Sequence, residues 1–210
     1  MPIVPSRLRR RLVLPFLVCA FAVVPLHAQQ RGGSIDLSGF DPALILQGVG
    51  DVVLRAPDAD IDRVYHAVHA ASRDDREAEA LCALFDADAD RSLPGLSRAA
   101  NALGPDSRQR FVDAVLALAV SASSQNAPVQ AYDPVAAEQV LRQAGVTAMM
   151  LHDGFMIGMS ATGNDPASRD ARCRSFRQLV DVMQDFPLEQ RALATRYLLR
   201  EGVDRYGTEL

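Results

Sequence analysis

From residue 41 onward, apolar positions in this chain recur three and four apart, the spacing of helices packed on one side. Asp41-Pro42 sets a capping residue before proline at a first helical position, and ALILQGVGDVVL continues that helix, weakened by Gly48 and Gly50. Ile61, Val64, Tyr65 and Val68 make one stripe of a second helix over 60–72. A third, over 74–85, puts Ala78, Leu81, Cys82 and Phe85 on one face. Ser92-Leu93-Pro94-Gly95 opens a short helix to Leu103, and Pro105-Asp106 starts a longer one. The predicted buried stripe of that longer helix is Phe111, Val112, Val115, Leu116, Ala119 and Val120. After the polar loop SSQNAPVQAY, Asp133-Pro134 repeats the cap-and-proline start, with Val140, Leu141 and Ala144 facing inward before Gly145. Val146 to Ala161 is apolar nearly all round, which predicts the central helix of a bundle. TGNDPAS breaks the pattern, and two last helices over 168–186 and 187–205 meet at Pro187.

No stretch alternates apolar and polar residues between hairpin turns, and no fixed-period repeat is present. The prediction is an all-α fold, a single compact multi-helix bundle of about eight or nine helices with short connections between antiparallel neighbours.

The first 28 residues follow a different plan. A basic stretch, SRLRRR, precedes an apolar run from Leu12 to Leu26, broken only by Pro15 and Pro25, and the segment closes on Leu26-His27-Ala28. That order predicts a cleaved secretory leader, with a run of about 15 residues that is too short to span a bilayer comfortably. The predicted organisation is a leader over 1–28, a flexible linker over 29–39 and an all-helical domain over 40–210. The expected location is the periplasm, with release from the cell as second choice and no stable membrane insertion. The leader carries four arginines and no acid, so its removal leaves 18 bases against 26 acids, a net charge near −8. An acidic chain without a basic cluster argues against nucleic-acid binding.

Three cysteines become two once Cys19 leaves with the leader. An even count in an oxidising compartment predicts a Cys82–Cys173 disulfide, the alternative being two separate buried thiols. Cys173 stands in line with Phe176, Val180 and Met183.

Catalytic patterns are sparse. Asp62, His66 and His69 fall at i, i+4 and i+7, one helix face on which a Zn²⁺ ion could sit, but a solvated Asp–His face is the favoured reading. Asp86, Asp88 and Asp90 match the first three positions of a calcium loop, whereas Arg91 and Ser97 occupy the places that need glycine and glutamate. GMSATG has the wrong spacing for a nucleophile elbow. No cofactor is expected. MMLHDGFMIGMS is the most unusual segment, with Met149, Met150, Met156 and Met159 around Gly154 and Gly158. Glycines four apart permit close helix approach and methionine adapts to irregular partners, so the segment is either a packed core helix or an interface.

The layout of leader, modest single domain and no enzymatic constellation resembles periplasmic immunity proteins, which protect bacteria from antibacterial effectors of type IV and type VI secretion systems. That resemblance implies a non-enzymatic protein that blocks a toxin by contact, its partner being another exported protein; separately, the face of Gly154 and Gly158 could pair with a second copy of the chain. No motif carries over a toxin-contacting residue. The alternatives are a metal-dependent envelope hydrolase using Asp62, His66 and His69, and a helical carrier of an apolar ligand.

Overall fold

The computed structural model describes residues 42–207, apart from 87, 91, 125 and 126. The proposed leader and linker, 1–28 and 29–39, lie outside the described residues. Among the described residues there are nine α-helices and no strand: α1 Pro42–Arg55, α2 Asp58–Ser72, α3 Asp75–Cys82, α4 Leu93–Ala102, α5 Pro105–Ala122, α6 Pro134–Leu151, α7 Phe155–Ser160, α8 Pro166–Met183 and α9 Leu188–Gly207. A 3₁₀ turn, Ala83–Phe85, extends α3. No helix among the described residues is long and apolar enough to cross a membrane.

The helix starts are written locally. Asp74, Asp133 and Asp165 each accept backbone N–H bonds from the first turns of α3, α6 and α8, and proline follows at the first helical position of α6 and α8. Hydrogen bonds from Ser168 hold the Asp165 carboxyl below its ordinary range. Glu77 of α3 reaches across to the start of α5, accepting from the Gly104 N–H at 2.8 Å and the Ser107 hydroxyl at 2.5 Å. A carboxylate there favours the positive end of the helix dipole.

Two apolar clusters share α2 and α9. One joins Tyr65, Val140, Ala144, Ala148, Phe155, Val180 and Met183. The other joins Val53, Ala56, Ile61, Val64, Ala114, Leu118 and Ala192. The centre of the bundle is therefore the α2–α9 pair, with α5, α8, α6 and α1 around it. The expected central helix over 146–161 does not exist: α6 ends at Leu151, and α7 begins at Phe155 after a turn in which Gly154 adopts φ 82°. Only glycine takes that conformation without strain.

The stripe predicted for α5 also points the other way. Ser107, Ala114, Leu118 and Ala122 are buried, while Val112, Val115, Leu116 and Val120 are exposed. Small residues let α5 lie close against α2, whose own inner face includes Ala67 and Ala71. A helix apolar on both sides leaves periodicity unable to choose between them.

Cys82 and Cys173 form the disulfide, with Cα atoms 5.2 Å apart across a sequence separation of 91. It ties α3 to α8. Arginines on the same side of α8 reinforce the join: Arg172 pairs with Asp86 at 2.5 Å, Arg169 with Asp88 at 2.8 Å and Arg177 with Asp75 at 2.9 Å. The aspartates that resembled a calcium loop are thus engaged by arginine, Asp90 being paired with Arg98 and bonded by Ser92.

Candidate functional site

Two regions carry the residues singled out by the sequence. In the first, the helical register of α2 sets the His66 Nε2 3.2 Å from the Asp62 carboxylate. Asp62 is buried and receives Arg191 of α9 through two bonds of 2.8 and 2.9 Å. That bidentate bond raises the Arg191 pKa further above its ordinary value. His69 turns elsewhere, to Asp181 of α8 at 3.1 Å, with its ring parallel to Tyr65. The three side chains therefore do not converge: one carboxylate holds a guanidinium, and the histidines have different acids. No three His, Cys, Asp or Glu side chains gather as a metal site among the described residues.

Tyr65 sits in the middle of this seam and donates its hydroxyl to the Val180 carbonyl at 2.6 Å. Burial, with smaller effects of Asp181 and Asp62, raises its pKa well above 10 against the opposing pull of Arg191. A raised value means that the folded state favours the neutral phenol. The stability this contributes is intact below about pH 10 and is lost progressively as pH rises beyond it. Tyr65→Phe should cost about 1 kcal/mol at neutral pH. It should also make the alkaline fall in unfolding free energy shallower, as measured by urea titration at a series of pH values.

The second region is the corner between α6 and α7. Phe155 and Gly158 form the inner side of α7, against α8. The Ser175 hydroxyl donates to the Phe155 carbonyl at 2.7 Å, and a Cβ at Gly158 would overlap the Ala171 carbonyl and that same hydroxyl. Gly158 thus serves close packing inside the fold, and Gly154 serves a turn. The close helix approach expected of this glycine pair is therefore made inside the fold at Gly158, whereas Gly154 is exposed at the turn. Gly158→Leu should destabilise the protein by about 1–3 kcal/mol or more by forcing α7 off α8, seen as a lowered urea midpoint.

The methionines occupy the outer side. Met149, Met150, Met156 and Met159 are 49%, 78%, 52% and 55% exposed, and Leu151 and Ile157 beside them are 67% and 69% exposed. Six large apolar side chains therefore face outward within eleven residues of sequence. Such a concentration of exposed apolar groups marks a candidate interaction surface. The outer valines of α5 and Leu116 are a further exposed apolar face that sequence reasoning missed. The signal available was the alternative stripe Ser107, Ala114, Leu118, Ala122.

An open cavity of about 820 Å³ borders the disulfide, lined by Asp75, Glu79, Arg169, Arg174 and Arg177 among others. Charges of both signs suit a polar occupant better than an apolar one. With this geometry in view, the chain was compared with known proteins: no family model, no curated protein and no solved structure matches it.

Proposed function

We propose that this chain is an exported, non-enzymatic binding protein, an immunity protein that blocks a secreted antibacterial toxin by direct contact. The observation that carries the reading is the outward-facing apolar corner of Met149, Met150, Leu151, Met156, Ile157 and Met159. Flexible thioether side chains adapt to the shape of a partner, and burying them would drive association. The leader pattern supports export, as does a disulfide, since such bonds persist in oxidising compartments. A mature charge near −8 would speed encounter with a basic toxin, more so at low salt.

The test is a competition between neighbouring bacteria. Cells lacking the gene should be killed by parental cells and rescued by the wild-type chain. A Met150→Glu/Met156→Glu variant that retains its helical spectrum and thermal midpoint should fail to rescue. Equal survival with and without the gene would remove the immunity reading. Survival with the charged variant would move the contact elsewhere on the surface.

A further inference from the structure

The same corner raises a separate question: why it is built of methionine. Four of the six methionines in the chain lie between residues 149 and 159, and all four are exposed, whereas Met183 is buried. Leucine would give an equally apolar surface with better-defined rotamers and no sulfur to oxidise. In the surroundings where a disulfide persists, exposed thioethers are open to conversion to sulfoxide. Besides the shape adaptation already described, their concentration gives the corner a second capacity, soft-metal ligation through sulfur.

Thioether is a neutral, soft donor. It has no proton to lose on binding, it suits cuprous ion, and it is a poor ligand for magnesium, calcium or manganese. Among the described residues the two cysteines offer no competing soft donor, because Cys82 and Cys173 are joined to each other. Harder ions find no cluster of His, Cys, Asp or Glu among the described residues. On α7, Met156 and Met159 are three apart and both exposed, Met159 at the border of the face that buries Phe155. Positions so spaced stand about 5–6 Å apart at Cβ, and the rotatable bonds of each side chain let two sulfurs close on one ion. Met149 and Met150 end α6 just before the turn and offer further sulfur. His152 is not counted, since it lines a small cavity with Ser72 and Asp181.

We propose that this corner is a cuprous-ion site, with Met156 and Met159 as its core pair and Met149 and Met150 as additional thioether donors. The site does not depend on partner binding, and the two readings separate by substitution. Leucine keeps the apolar face and removes the sulfur, whereas glutamate removes the face.

The experiment titrates the purified mature protein with Cu(I), kept reduced by ascorbate under anaerobic conditions, against bicinchoninate as a chromogenic competitor. The wild type should withdraw one equivalent of copper, and X-ray absorption at the copper edge should show sulfur ligands. Met156→Leu/Met159→Leu should weaken retention at least tenfold while leaving the thermal midpoint unchanged. In the bacterial competition the same leucine variant should still protect. Failure to withdraw copper would overturn the proposal. So would copper retained unchanged by a variant with leucine at all four positions, or copper bound with nitrogen and oxygen ligands alone.

Discussion

Replacing Arg196 by methionine is expected to cost roughly 2–5 kcal/mol of unfolding free energy, among the largest single-residue effects in this protein. Arg196 is 1% exposed, in the middle of α9. Its guanidinium donates to the Val53 carbonyl, to the Ala56 carbonyl at 2.9 Å and to the Asp58 carboxylate at 2.7 Å. Those carbonyls belong to the end of α1, where no further helical turn can bond them and where the helix dipole favours positive charge. Methionine fills a similar length but donates nothing, so carbonyls buried against α9 lose their partners. Asp58→Asn should cost less than about 1 kcal/mol, because that carboxylate is half exposed and its pairing is screened by solvent. Urea unfolding of both variants measures the contrast. If the two cost the same, the ion pair rather than the carbonyl bonds carries the joint.

Removing the disulfide by Cys82→Ser/Cys173→Ser should cost about 4 kcal/mol. A cross-link spanning 91 residues restricts the unfolded chain strongly in the chain-entropy account. The folded structure should survive, since Arg172, Arg169 and Arg177 still reach their aspartates and Phe85 still packs on Phe176, ring centroids 5.0 Å apart. The wild type unfolded in urea with a reductant should match the variant without one. Hydrogen exchange should show α3 opening before α2 in the variant.

What could be read from the chain follows from how local each signal is. The α2 stripe of Ile61, Val64 and Tyr65 was legible because charged residues flank it on the outer side of the same helix. The disulfide was legible from cysteine parity and apolar placement. The proximity of Asp62 and His66 follows from helical spacing alone, but Arg191, 129 residues away from Asp62, carries no local sign of its target. Arg196 is the same case, reading as one more surface arginine until α1 is laid against α9. The outer face of α5 misled because a helix with two apolar sides has no preferred inside, whereas the inward stripe of Val140, Leu141 and Ala144 on α6 was legible. In the 146–161 segment, His152-Asp153-Gly154 was the available sign of a break, and Gly154 is the residue that permits it. The methionines, read as either core or interface, proved to be exposed because Ala144 and Ala148 take the inner positions at the end of α6, and Phe155 and Gly158 those of α7.

The central claim is that the outer face of the α6–α7 corner is where another exported protein docks. Its most direct measurement is site-specific photo-crosslinking in living cells that carry the toxin system, with the crosslinker placed at Met150, at Ile157 and, as a control, at Arg63 of α2, an exposed position on a different element. Positions 150 and 157 should each yield one discrete adduct of the same partner mass, and position 63 none. Adducts of equal yield at all three positions, or none at 150 and 157, would contradict the account.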